Sequence, residues 1–338
     1  MNPVAETRPV PSGGRPTVLV LRALGLGDLL AAVPALRGVR RAFPEHETVL
    51  AAPGSLAAAV RATGTVDVHF STPENGRQVP SLDHWPGPPP AVAIDLHGNG
   101  PLSHDALAAL GPGRTFSFAR PAPDHPDPPR WRRDEHERLR WCRFLTAYGV
   151  PADPADVRIP PPATPSPAPG AVVVHPGADA PARRWPAERY AAVASALRDA
   201  GHRVVVSGGP GEEELCAGIV ERAGLDAADL LAGTLSFDDL SALVAGAALL
   251  ISGDTGPAHL AFAHGTRSVT LFGPVAPSLW GPPPERRHTA LWHPGPPGDP
   301  HAGTPDPQLL RIGPDEVTGS ALAALHRGEA AKETAGHG

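Results

Sequence analysis

Ser252-Gly253-Asp254-Thr255-Gly256-Pro257-Ala258-His259 joins an apolar run (residues 247–251) to a helix-like segment (residues 260–263). A buried strand opening through small residues into a helix N-terminus presents unpaired backbone N–H groups and the positive end of the helix dipole. That is a seat for a diphosphate. Asp254, Thr255 and His259 add side-chain hydrogen bonds; the plainer alternative is a connection in which Asp or Thr caps the helix. A differently built turn, Gly25-Leu26-Gly27-Asp28, follows the β-branched run 17–21. Its glycines permit a tight, open turn, and Asp28 stands at the next helix N-terminus, facing a ligand or simply capping the helix. A nicotinamide fingerprint fails here, because the third glycine position holds Leu30 and no strand-end acid follows at the expected distance.

Weaker candidates lie between these turns. His175-Pro176-Gly177-Ala178, then Arg183-Arg184-Trp185-Pro186, pairs a glycine loop with a cation at a helix start, which suits a phosphate or a solvated turn. Asp95-Leu96-His97-Gly98-Asn99 ends a strand and is read as pocket lining or as a polar turn. Arg130-Trp131-Arg132-Arg133, with Arg138, Arg140 and Arg143, could attract an anionic acceptor or a membrane surface, leaving peripheral membrane contact open. The interspersed Asp134, Glu135 and Glu137 favour a solvated helix face instead. His264, His288, His293 and His301 have no metal-ligand spacing, and no Ser-His-Asp or Cys-His arrangement can be argued.

The elements that must position these residues alternate. Strands are expected at 17–21, 48–51, 66–70 and 91–96, with helices at 29–43, 55–62 and 135–148. Residues 150–170 hold eight prolines and read as a stiff connector. The pattern then restarts with strands at 171–175, 203–207, 248–252 and 268–272 and helices at 187–200, 212–223, 236–245 and 257–263. Residues 274–313 show little periodicity, and a last helix is expected from 314. This is an α/β fold of two Rossmann-like, doubly wound parallel sheets, whose ligands belong at the C-terminal strand ends of facing domains. The expected organisation is a tail at 1–16, a domain at 17–150, a linker at 151–170, a domain at 171–313, a helix at 314–326 and a tail at 327–338.

With 338 residues and 41% hydrophobic composition, two cores are affordable in area. A net charge of −6 lends no support to a nucleic-acid surface. Cys142 and Cys216 belong to no paired spacing, arguing against a disulfide framework or structural zinc and fitting a reducing cytoplasm. Neither a signal peptide nor a membrane span is read. Lys332 is the one lysine among 29 basic residues, pointing to a GC-rich coding sequence.

Taken together and in order, Gly25-x-Gly27-Asp28, His175-Pro176-Gly177-Ala178 with Arg183-Arg184-Trp185-Pro186, Gly208-Gly209-Pro210-Gly211-Glu212-Glu213-Glu214 and Asp254-Thr255-Gly256-Pro257-Ala258-His259 resemble glycosyltransferase family 9, the heptosyltransferase family. The resemblance covers residues 17–272 plus Leu310-Arg311-Ile312 and the final helix. It implies a GT-B architecture, with the acceptor on the N-terminal domain and a nucleotide-sugar donor, ADP-heptose being the best known, on the C-terminal one. It further implies inversion at the anomeric centre without a metal or other cofactor, with Asp28 as the base that deprotonates the acceptor hydroxyl. Donor contacts would fall to His175, Gly177, Ala178, Arg183 or Arg184 (where the family usually has lysine), Glu212 at the ribose, Leu235 at the nucleobase, and Asp254, Thr255, Gly256 and His259. Acceptor contacts would fall to Gly25, Gly27, Asp95, His97, Asn99 and Arg138. The resemblance suggests lipopolysaccharide core assembly, and the high-GC composition makes a cell-envelope glycan or a secondary metabolite an equally expected acceptor. The rival readings are a nicotinamide-dependent oxidoreductase and an inactive nucleotide-sugar-binding protein.

Overall fold

The computed structural model describes residues 14–74, 76–118 and 127–336, with side chains to residue 328. Residues 1–13 and 337–338 of the expected tails lie outside the described residues. The chain divides into two units, residues 1–160 and 161–338.

In the first unit the strands are β1 (Thr17–Leu21), β2 (Glu47–Pro53), β3 (Val68–Thr72), β4 (Val92–Asp95) and β5 (Arg114–Phe116). The helices are α1 (Leu26–Ala31), α2 (Val33–Ala42), α3 (Ala57–Thr63), α4 (Pro101–Ala108) and α5 (Glu137–Ala147). The sheet runs β3-β2-β1-β4-β5 with every pairing parallel. Helices cover both faces of such a sheet, so its central strand must be apolar on both sides. Accordingly the whole of Thr-Val-Leu-Val-Leu in β1 is buried. The helix expected at 29–43 is two helices broken at Ala32, ahead of Pro34, which has no N–H to continue the ladder. It also begins three residues early, at Leu26.

In the second unit β6 (Val172–His175), β7 (Val204–Gly208), β8 (Leu230–Ala232), β9 (Leu249–Gly253), β10 (Ser268–Leu271) and β11 (His288–Leu291) form a sheet of order β11-β10-β9-β6-β7-β8, again all parallel. The helices are α6 (Ala187–Asp199), α7 (Glu213–Ala223), α8 (Phe237–Gly246), α9 (Gly256–His264), α10 (Pro277–Trp280) and α11 (Pro314–Gly336). The last helix therefore runs ten residues beyond the boundary expected at 326, into the segment read as a tail. Trp185, Tyr190 and the Val, Leu and Ile side chains of the central strands make the main core.

The Pro-rich segment is not a free connector. Val157 and Ile159 are buried, and Asp156 accepts from both Arg37 and Arg41 of α2. Further on, the Gly170 N–H donates to the Gly246 carbonyl at 2.8 Å. Proline blocks ladder pairing but not side-chain anchoring, so each end is fastened to its own unit.

Both sheets have a point where strand order reverses: between β1 and β4 in the first, and between β6 and β9 in the second. The loops leaving the carboxyl ends of those strands form the crevice where such sheets take ligands.

Candidate functional site

In the first unit, the reversal point brings Gly25–Asp28, after β1, beside Asp95–Asn99, after β4. Asp28 is the third residue of α1, and its Oδ2 accepts the Gly25 N–H at 3.3 Å, the acidic half of a capping box. It is 7% exposed. Arg77 reaches it at 3.4 Å from the open side and Arg22 at 3.6 Å from beneath.

Arg22 is the decisive residue that sequence reading passed over. It directly follows the fully apolar β1 and is 1% exposed. Its Nε donates to the Asp28 carbonyl at 2.7 Å, one Nη to the Leu96 carbonyl, and the other to Glu137 Oε1 at 3.0 Å. The guanidinium lies 5.0 Å from the Trp141 ring centroid. Glu137 also accepts from Trp141 Nε1 at 2.7 Å and from Arg140. Glu137, Arg140 and Trp141 are spaced i, i+3 and i+4 and so share one face of α5.

That face is buried, which corrects the expectation of a solvated one. Glu137 and Arg140 are each 6% exposed. Arg140 stacks 4.1 Å from the Trp131 ring centroid, and Arg143 takes both oxygens of Glu135. The acids between the arginines neutralise them in place instead of marking a wet surface.

The other acceptor-side candidates separate. Asp95 is fully buried and its Oδ1 accepts the N–H groups of His97 and Gly98 at 2.9 and 3.3 Å. Burial raises its pKa above the usual carboxylate value, against the pull of those hydrogen bonds and of His104. Through Oδ1, Asp95 shapes the turn that carries His97 and Asn99. His97 is half-buried, its pKa pushed down to about 4, first by burial and then by the Arg22 charge, so it is a neutral imidazole at neutral pH. Asn99 is exposed on the same loop. Arg138 is half-buried and makes no ion pair with Asp28; the arginines there are Arg22 and Arg77.

Gly27 lies inside α1, and Gly25 is extended (φ −78°, ψ 177°), so neither is required by a left-handed turn. A Cβ at Gly25 would sit 3.6 Å from Asp28 Oδ2, an ordinary contact. Gly25→Ala is therefore expected to leave the melting transition within about 0.5 kcal/mol of the parent while setting a methyl group over the carboxylate. A large loss of stability in calorimetry would show that the glycine serves the fold and not an approaching ligand.

In the second unit, the loops after β6 and β9 meet in the same way. His175 ends β6, with Nδ1 3.1 Å from Ser207 Oγ; complete burial lowers its pKa, which Glu212 opposes. Gly177 and Ala178, both buried, follow. Glu212 is the N-cap of α7, not a first-turn acid. Its carboxylate turns back to accept the Gly209 N–H at 2.8 Å and lies where a Cβ on Gly177 would be, 2.0 Å from Oε2. Gly177 is thus required by close approach.

Thr255 caps α9; the Ala258 N–H already donates to the Thr255 carbonyl at 3.1 Å and Pro257 has no N–H, so the helix-start amides left by position without an intrahelical acceptor are those of Thr255 and Gly256. Arg183 donates to the Asp254 carbonyl at 3.4 Å, and its buried Nε has no partner among the described residues. Arg183 Nη2 reaches the exposed Asp179 carboxylate at 3.5 Å, and a guanidinium with an unused Nε–H beside a helix N-terminus suits an anion. Arg184 is exposed and holds the Ala178 carbonyl at 2.8 Å. His259 Nε2 stands 3.5 Å from Asp254 Oδ1, its ring edge-on to Phe262 and Trp280. Leu235 is half-buried on the loop after the edge strand β8.

Among the described residues no group of three or more His, Cys, Asp or Glu could hold a metal ion. No helix among them is long and apolar enough to cross a membrane.

Two doubly wound parallel sheets, each with its polar loops gathered at the strand-order reversal, define an α/β protein of the GT-B class. Residues 153–301 match the family model described as glycosyltransferase family 9 (heptosyltransferase). The chain is 34% identical over 113 residues to lipopolysaccharide heptosyltransferase 3 of Escherichia coli; the match spans 33% of this chain and 33% of that relative's length. The crystal structure of the glycosyl transferase family 9 protein from Veillonella parvula DSM 2008 has the same fold, with a TM-score of 0.74 at 19% identity over 92% of this chain and 98% of that one. For the E. coli ADP-heptose lps heptosyltransferase II the TM-score is 0.72, at 19% identity over 93% and 99%.

Proposed function

We propose that the protein is an inverting, metal-independent glycosyltransferase. It moves a heptose or related sugar from a nucleotide-diphospho-sugar, ADP-heptose first among them, to a hydroxyl of a cell-envelope glycan or a secondary-metabolite acceptor. The supporting observation is the convergence at both reversal points: a carboxylate flanked by two arginines in one unit, and a helix N-terminus beside Arg183 in the other. The names of the relatives, a lipopolysaccharide heptosyltransferase and an ADP-heptose heptosyltransferase, support the donor and the glycan acceptor.

In this reading residues 17–150 take the acceptor and residues 171–313 the donor, in the cytoplasm, with peripheral membrane contact as part of the proposal. The amides of Thr255 and Gly256, with the Arg183 guanidinium, meet the charge that grows on the leaving diphosphate. Glu212 accepts from the ribose hydroxyls, and His175 stays neutral beneath it. Asp28 takes the proton of the attacking hydroxyl, and the alignment of its carboxylate by Gly25, Arg22 and Arg77 supplies much of the gain.

A ligand bound only by the folded state raises the melting temperature. At a hundredfold excess over Kd the gain is about 2.7 kcal/mol, or roughly 5–10 °C for a unit of this size. ADP and ADP-heptose are expected to give such a rise, and NADH and UDP a much smaller one. A rise with NADH and none with ADP would replace this reading by hydride transfer.

A further inference from the structure

The second unit has a cationic groove at the opposite end of its sheet from the donor loops. It is about 640 Å³, lined by Gly265, Arg267, Glu285, Arg286, Arg287, Ala324 and Arg327. Arg267 immediately precedes β10 and Arg287 immediately precedes β11, so the groove opens at the amino ends of these strands, with α11 as its wall. The carboxyl-end loops after β6 and β9 that hold Arg183 and Thr255 are at the other end of the same parallel strands.

Among the described residues, four guanidinium groups and one carboxylate line the groove. Arg287 is fixed: it pairs with Glu285 at 2.9 Å and donates to the Gly265 carbonyl at 3.0 Å. Arg267 is fixed by packing, since its guanidinium lies against Gly328 of α11, where a Cβ would come within 2.7 Å of Cζ. Arg267, Arg286 and Arg327 have no carboxylate partner among the described residues, and the last two are exposed. Like charges gathered without counter-charges repel, so their shared concave setting is unfavourable until an anion enters. Planar guanidinium forks bind phosphate oxygens in pairs, and several forks in one concavity suit a ligand carrying more than one phosphate charge.

We infer that this groove is a second anion site, separate from the donor seat, for a ligand presenting clustered phosphate groups. The same chemistry is offered by a soluble diphosphate and by the headgroups of an anionic lipid. The inference does not rest on the proposed transfer reaction.

The test uses the full chain, the double variant Arg286→Gln/Arg327→Gln, whose side chains are exposed, and Arg183→Gln. Each is titrated with inorganic pyrophosphate at low salt by calorimetry, and sedimented with vesicles of phosphatidylcholine with or without phosphatidylglycerol. The groove predicts that the double variant loses about tenfold or more in affinity in at least one arm, with that component kept in Arg183→Gln. Loss in the pyrophosphate arm identifies a soluble ligand, and loss confined to phosphatidylglycerol vesicles a lipid headgroup. Wild-type binding in both arms by the double variant overturns the site, as does no binding by the parent chain in either. If pyrophosphate binding falls only in Arg183→Gln and vesicle binding is unchanged, the groove is wrong while the donor seat stands.

Discussion

Asp28→Asn is expected to lower sugar transfer by roughly a hundred- to ten-thousandfold, the usual worth of a positioned general base, with nucleotide binding unchanged. Asparagine keeps the side-chain oxygen that accepts the Gly25 N–H, so the start of α1 is preserved. It cannot accept the proton of an attacking hydroxyl. The variant also leaves Arg22 with Glu137 as its remaining carboxylate partner, a pair that survives the change at 3.0 Å. Two readouts are needed: release of ADP from ADP-heptose in the presence of an acceptor glycan, and the melting-temperature rise with ADP alone. Turnover within a fewfold of the parent would remove Asp28 from the chemistry. A lost ADP response with lost turnover would instead mean that the substitution disturbs the fold.

Glu137→Ala should be the most damaging single truncation for stability in the first unit. Its carboxylate is shared by Arg22, Arg140 and the Trp141 indole, all buried. Removing it strands two guanidinium groups away from water, and breaking a buried ion pair from one side costs about 3–5 kcal/mol. Against a whole-domain stability of roughly 5–15 kcal/mol this is a large fraction. Denaturant titration of Glu137→Ala, Arg22→Met and the double variant closes a cycle. The double variant is expected to be more stable than Glu137→Ala alone, because the stranded charge has gone too. A loss below about 1 kcal/mol in Glu137→Ala would show that water reaches the pair and that Arg22 is not held as described.

The central strands were legible because a parallel strand covered on both faces must be an unbroken apolar run. Residues 17–21, 172–175, 204–208 and 249–253 were each found within a residue or so of their expected place. The strands not anticipated were β5, β8 and β11, each of three or four residues and each at a sheet edge. An edge strand is half-covered and short, so it carries neither a long run nor a periodicity to read. The Pro-rich segment misled differently. Composition reports what the backbone cannot pair with; it is silent on Asp156 reaching Arg37 and Arg41.

The loops were legible as polar strand-to-helix turns because glycine, aspartate and threonine are the residues such junctions favour. Their assembly was not. Arg22 drew no reading of its own and Glu137 was read as one of several acids on a wet helix; they are 115 positions apart and meet at 3.0 Å. Asp95 was read as pocket lining or as part of a polar turn, and its Oδ1 holds that turn through the N–H groups of His97 and Gly98.

By itself, then, the sequence determined two parallel α/β layers and the polar loops that end their inner strands, because local spacing dictates which stretches must be buried and which must turn. Only the tertiary structure decided which loops are neighbours, that a buried arginine braces Asp28 from below, and that Arg267 and Arg286 line one groove with Arg327 of α11, none with a carboxylate partner among the described residues. Those facts depend on strand order and helix packing, which join residues too distant along the chain for any spacing rule to connect.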